Sequence, residues 1–441
     1  MGRAYIGAGL AGLMLFVAAA GELQGQSNFI VSSMPNGEGP PLKYLVRLPD
    51  KASLKPSFTI PVKTMGFSIP GNSYLLRRQQ LVSLDFIDED RLLFSFHVSS
   101  GLKERSEVED HEGEQRIHAT VIDIATGKAR AEAEWTMPDR RRYLWMLKDG
   151  RFLLRTADGL EVGDSELRTK EYLRWPGRLM WIEMDPDQKF LVANSVEEAK
   201  SGQTAVDAGS SAAQKSDENE RNSDTKNVLT VRTVKQETGE IVRTTQAPWT
   251  SQTSDWPMNS EGYVETVHDK GMHWVMRLVP HAGENERAVA ETDSVCVPHY
   301  HFVTDSESLL SRCDPEEGWK LVASNSAGKT LWETKTGSNT MWPLLMPARD
   351  GSRVVRESLV LKRSAEKYKA GVRVKDVRGQ ILQVFDAATG KVAMEAPLHP
   401  IYDGGGNVAI SPSGKRVAIV DGDAVRVYEL PDPSFSADDH K

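Results

Sequence analysis

Two histidines, His299 and His301, stand two apart in a run that reads as a strand, so both rings would face one side of a sheet. Two imidazoles on one face are the beginning of a zinc site, and His268 or His273 would have to come close to extend it. No H-E-x-x-H pattern or fixed carboxylate partner accompanies them, which makes hydrogen-bonded strand histidines the simpler reading. Asp185-Pro186-Asp187 and Asp421-Gly422-Asp423 hold paired carboxylates, the groups glycoside hydrolysis uses. They sit in different turns, however, and turn geometry favours aspartate there without any chemistry. The G-x-S-x-G elbow of serine hydrolases does not occur. Cys296 and Cys313 are the two cysteines. An oxidising compartment would permit a disulfide between them, and two buried thiols are the alternative.

These residues need elements to hold them, and the sequence supplies a repeated one. Asn407-Val408-Ala409-Ile410 alternates into Ser411-Pro412-Ser413-Gly414, after which Arg416 to Val420 and Ala424 to Leu430 read as two more strands. Proline and glycine between alternating apolar runs supply the fixed and positive φ angles of a tight hairpin. The same pattern turns at Asp88-Glu89-Asp90, Lys148-Asp149-Gly150, Asp185-Pro186-Asp187, Asp305-Ser306-Glu307 and Arg349-Asp350-Gly351, with a weaker copy at Tyr263–His268 and His273–Leu278. A second turn, Asp-x-x-Thr-Gly-Lys, closes Asp123 to Lys128 and Asp386 to Lys391. Looser versions run from Val234 to Glu240 and from Trp332 to Gly337.

Four strands per unit joined by two kinds of turn is the anatomy of a propeller blade. Units begin near residues 79, 140, 178, 255, 299, 340 and 405, which predicts an all-β fold of seven four-stranded blades. The last unit has three strands, so its outer strand should come from the N-terminal segment, with Leu42–Leu48 and Phe58–Val62 as candidates. Over residues 79–430, these paired turns resemble those of bacterial WD-repeat-like and quinoprotein-like propellers. That resemblance implies the fold; members of such families include ligand binders, scaffolds and enzymes. Quinoprotein blades carry a docking tryptophan after the Asp-x-x-Thr-Gly turn. The matching positions here are Ala131 and Met394, and adjacent cysteines are also missing, so no cofactor is expected.

Three stretches interrupt the repeat: Ser99–Arg116, Val196–Lys226 and Arg363–Gly379. Each falls between the second and third strands of its unit, a connection that emerges on one rim of the ring. The 196–226 stretch has too few apolar residues to fold and reads as a disordered insertion. The other two offer Glu109, His111, Lys367 and Arg373 as binding candidates. Trp175 and Trp256 precede prolines at links between units and are further candidates for a binding rim.

At the N-terminus, Arg3 precedes an apolar or small run, Ile6–Ala20, which ends in Ala18-Ala19-Ala20. This reads as a cleaved export signal over residues 1–20, followed by an N-terminal segment (21–78), the propeller (79–434) and a flexible tail (435–441). No later run could span a bilayer. Lys and Arg number 54 against 62 Asp and Glu, a formal net charge of −8. Arg140-Arg141-Arg142 is the densest basic run and reads as a solvated turn, so the footprint of a nucleic-acid binder is missing. The expectation is a periplasmic or secreted, non-enzymatic propeller that binds a protein, peptide or glycan partner of the cell envelope through the inserted face. The alternative is a propeller enzyme, a lyase or metal-dependent hydrolase, working in the central channel.

Overall fold

A computed structural model of the chain describes residues 45–71, 75, 79–98, 114–198, 227–248, 256–283, 285–314, 318–365 and 372–433. Each alternating run pairs with its nearest sequence neighbours, so every repeat becomes one antiparallel sheet, and seven sheets surround a central channel. From the channel outward, blade 1 holds Val82–Phe86, Arg91–His97, Gln115–Asp123 and Lys128–Met137. Blade 2 holds Leu144–Met146, Phe152–Arg155, Gly159–Gly163 and Thr169–Arg174, and blade 3 holds Arg178–Met184, Phe190–Glu198, Asn227–Lys235 and Ile241–Pro248. Blade 5 holds His299–Phe302, Glu307–Asp314, Gly318–Asn325 and Thr330–Lys335, and blade 6 holds Thr340–Pro347, Arg353–Leu361, Val377–Asp386 and Val392–Leu398. Blade 7 is Val408–Ile410, Arg416–Asp421 and Ala424–Glu429, completed by Phe58–Pro61 paired antiparallel to the last of these. Of the two candidates for ring closure, Phe58–Val62 contains the strand.

The burial patterns follow from this stacking. Inner strands lie between two neighbouring blades, so the nine residues Arg353–Leu361 are all buried. Outer strands have one wet face, and Lys128–Met137 alternates. The apolar seams between blades carry the hydrophobic stabilisation. One joins Phe94, Phe96 and Phe67 to Ile60 and Val427, which fixes the closing strand by packing as well as by pairing.

Blade 4 departs from the expected register. Its sheet has three strands, Gly262–Lys270, His273–Pro280 and Arg287–Asp293, and a lone bridge from Met258 to Tyr263 stands where the innermost strand would be. The hairpin at Lys270-Gly271 therefore joins the second and third strands, and the turn matching those of other blades is Asn259-Ser260-Glu261. Asn259 Oδ1 caps that turn by accepting the N–H groups of Glu261 (3.0 Å) and Gly262 (3.1 Å).

Trp332–Gly337 is not a turn between strands: it lies in and just beyond the outer strand of blade 5. The true turn is Asn325-Ser326-Ala327-Gly328-Lys329, where Asn325 Oδ1 accepts the N–H groups of Ala327 (3.1 Å) and Lys329 (3.0 Å) and Gly328 takes φ +75°. Asn325 does there what Asp123 does for Thr126 (2.9 Å) in blade 1. Counting from Gly328 as from Gly127 and Gly390, the fourth position is Trp332. Its indole N–H donates to the Ala387 carbonyl (2.7 Å) in the next blade's turn, and a Cβ at Gly390 would lie 2.5 Å from its ring. A docking tryptophan is thus present at this one described turn.

Candidate functional site

Connections between second and third strands, and the links between blades, emerge together on one face. The three insertions all root there, after His97 in blade 1, Glu198 in blade 3 and Leu361 in blade 6. Glu109, His111 and Lys367 lie outside the described residues, as do residues 1–20, 199–226 and 435–441. Arg373 is described. It is exposed beside the single helical turn Val374–Asp376, with its backbone N–H on Asp376 Oδ2 (3.0 Å).

A cleft of about 350 Å³ opens at the root of the blade 6 insertion, lined by Leu45, Val46, Arg47, Asn339, Leu361, Lys362 and Arg378. Its outer wall is the N-terminal segment, clamped by Asn339: Val46 N–H donates to Asn339 Oδ1 (2.8 Å), and Asn339 Nδ2 donates to Val46 O (3.0 Å) and Leu361 O (3.1 Å). Two glycines make room for that segment. A Cβ at Gly337 would lie 2.5 Å from Val46, and one at Gly379 would lie 2.5 Å from Leu48. Arg47, Lys362 and Arg378 are exposed on the cleft wall; Arg363, Arg373 and Lys375, also exposed, stand in the hairpin root beside it, where Lys362 Nζ donates to Lys375 O (2.5 Å). None of the six forms an ion pair with a described residue.

The channel carries a different set. Ser83 donates to Asp85 Oδ2 (2.8 Å), and burial pushes the Asp85 carboxyl up to about 6 despite the nearby Arg142 and Arg349. Arg142 lies over the rings of Trp145 (5.2 Å) and Trp181 (5.6 Å), and Trp181 Nε1–H donates to Glu183 (3.1 Å). Arg349 starts in blade 6 and reaches across to the carbonyls of Phe86 (3.0 Å) in blade 1 and Lys148 (3.3 Å) in blade 2. The channel end away from the insertions is therefore narrow enough for one arginine to span.

The structure relocates several sequence candidates. Trp175 (5% exposed) fills the seam between blades 2 and 3. Trp256 (9% exposed) stacks on Tyr263 between blades 3 and 4. Links between blades turn their large side chains inward, so neither indole offers its ring as a rim. His299 and His301 sit half-buried on the innermost strand of blade 5. His268 instead meets the Gly271 carbonyl and Trp274, and His273 faces Asp293 and Glu291, so neither extends the pair. Among the described residues no three His, Cys, Asp or Glu side chains are placed to hold a metal. Cys296 and Cys313 are joined as a disulfide. No helix among the described residues is long and apolar enough to cross a membrane.

Arg140-Arg141-Arg142 is not a solvated turn. Asp139 is buried and takes Arg155, the Arg141 N–H (2.8 Å) and Arg178 (3.1 Å), tying blade 2 to blade 3. Burial alone would raise the Asp139 carboxyl, but Arg155 and its neighbours hold it well below the usual carboxylate range. Arg140 meanwhile binds Gln115 (3.1 Å) and Gln79 (3.2 Å). These cations act as structural ties because an arginine in a seam needs its charge and its five donors satisfied. A second buried acid, Glu357, accepts from Gln380 in blade 6. Burial pushes its carboxyl up to about 8, the Gln380 hydrogen bond opposing and Asp403 adding to the rise.

No protein-family model and no curated protein matches this chain. Solved structures do. The acylaminoacyl peptidase of Pyrococcus horikoshii is 10% identical over 81% of this chain and 52% of its own, with a TM-score of 0.46. The WD40 domain of Neurospora crassa Pan2 is 8% identical over 88% and 98%, with a TM-score of 0.41. Chaetomium thermophilum Sqt1, bound to the N-terminus of a ribosomal protein, is 10% identical over 80% and 97%, with a TM-score of 0.41. At these identities the likeness is one of fold alone, and the chain spans about half the length of the peptidase.

Proposed function

We propose that this propeller is an exported binding module of the cell envelope, non-enzymatic, which docks a protein or peptide partner on the face carrying the insertions. One observation carries the reading: the basic cleft stands on that face, assembled from the N-terminal segment and the third insertion of an acidic chain. Loops on a rigid ring are well placed for recognition, since their backbone is not needed to hold the sheets. The apolar segment Ile6–Ala20 supports export, and the disulfide fits an oxidising compartment. Photo-cross-linkers placed at Arg378 and, on the opposite face, at Asp350 test it in intact cells. One identified envelope protein captured from position 378 alone is the expected result. Adducts from position 350 alone, or from neither, would remove the reading.

Chemistry in the channel is a second reading, and its observation is the Asp85 carboxyl held near neutrality beside Ser83 and Arg142. Turnover of a chromogenic ester, phosphoester or peptide by the native chain and not by Asp85→Asn would establish it.

A further inference from the structure

The exposed arginines of this protein fall into two groups. Arg116, Arg130, Arg151, Arg168, Arg174 and Arg287 each pair with a carboxylate on the sheet surface. Arg47, Arg363, Arg373 and Arg378 pair with none among the described residues; Arg47 and Arg378 line the cleft, and Arg363 and Arg373 stand in the hairpin root beside it. Lys362 and Lys375 stand with them, and the Asp376 carboxylate is already engaged by a backbone N–H. Six like charges around one hairpin root repel each other in the free protein, and an anion bound among them relieves that repulsion. The guanidinium groups present planar pairs of donors matched to carboxylates.

The cleft also has an apolar component. Leu45 is 49% exposed at its outer wall and Val374 is 44% exposed on the turn beside the cations, with Val46 and Leu361 below. Resting on the reading of this face as the docking surface, we propose that the cleft binds a short acidic peptide segment of the partner, carrying carboxylates around an aliphatic side chain. A long polyanion fits less well. Screening confines the attraction to about 8 Å from each charge at physiological salt, and the remainder of a chain of net charge −8 is more acidic than the whole. A nucleic acid or sulfated glycan would run off the patch onto repelling surface, whereas a few residues of peptide would not.

The test is fluorescence anisotropy of the full chain with a labelled Asp-Glu-Leu-Asp-Glu peptide. Asn-Gln-Leu-Asn-Gln, a single-stranded oligonucleotide and a heparin tetrasaccharide serve as competitors. Substituting Arg47→Ser, Lys362→Ser and Arg378→Ser together should weaken the acidic peptide by about tenfold or more. Removing equal charge from the outer strand of blade 2 and the turn before it, by Arg168→Ser, Lys170→Ser and Arg174→Ser, should leave it within about twofold. Arg47→Lys with Arg378→Lys keeps the charge and folding while losing the forks, and should fall between. Equal binding by the triple cleft variant and the native chain, or equal competition by the neutral peptide, overturns the proposal. Preferential displacement by the oligonucleotide or heparin would also overturn it and name a different ligand. If the acidic peptide fails while the cross-linker at 378 captures its partner, the ligand class is wrong and the docking face stands; if both fail, the face falls as well.

Discussion

Glu357 offers the sharpest test of the packing between blades 6 and 7. Its carboxyl lies on a strand with no exposed residue, one oxygen accepts from Gln380, and burial pushes its pKa from 4.5 to about 8. A carboxyl raised by folding keeps its proton in the folded chain while the unfolded chain has released it. No penalty exists below pH 4.5, where both states are protonated. Between 4.5 and 8 the penalty grows by about 1.4 kcal/mol per pH unit, and above 8 it levels off near about 5 kcal/mol. At pH 7 it amounts to about 3 kcal/mol. Glu357→Gln keeps the shape and the acceptor for Gln380 but cannot ionise. Urea unfolding of both proteins at pH 5, 7 and 8.5 should show the variant gaining on the native chain as pH rises, with midpoints closest at pH 5. The difference between the two curves cancels other titrating groups, among them Asp85 and Asp185, whose carboxyls burial also raises. Parallel profiles, or a variant that loses ground as pH rises, would refute the account of a neutral buried acid.

Two further outcomes are expected. Gly390→Ala forces a left-handed residue and drives a Cβ into the Trp332 indole, and it should cost about 1–2 kcal/mol or more in urea unfolding. Because the same contact is lost in Trp332→Ala, the double substitution should cost less than the two singles added. Asp139→Asn leaves Arg155, 1% exposed, with a buried and uncompensated charge, and should cost about 3–5 kcal/mol at neutral pH. Since folding lowers the Asp139 pKa, the native chain should lose that advantage only in acid, below the ordinary carboxylate range, where the melting curves of the two proteins should converge.

The hairpins were legible because their turns use residues with local reasons to be there: Asp123 and Asp386 cap backbone N–H groups, and Gly127 and Gly390 take positive φ. Blade 4 departs from its sequence pattern by one strand because its innermost segment shrinks to a bridge beside Pro257, which has no N–H to give a ladder. The Gly328 turn does not show the Asp-x-x-Thr-Gly pattern, because asparagine replaces aspartate and Ser326-Ala327 precedes the glycine, although the capping chemistry is the same. The site was legible by halves. Arg373 and the basic character of 363–379 stood in the sequence, but Arg47 comes from a segment 293 residues before the Asn339 that its neighbour Val46 binds, and no local pattern announces that pairing. Position alone singles out Trp175 and Trp256, and it does not fix whether a link side chain turns out to solvent or, as both do, into a seam.

The strand that closes the ring also has a temporal meaning. Phe58–Pro61 is synthesised long before Ala424–Glu429, the strand it must pair with, so the first strand among the described residues has to wait for the last one before it can pair. Until then its would-be neighbours wait with an open edge, which makes this a slow, long-range assembly exposed to mispairing. The residues just before that strand include Arg47, one wall of the cleft. That wall is held separately, by Asn339 ahead of blade 6, so losing the final blade would open the ring at Phe58–Pro61 while leaving Val46 its partners.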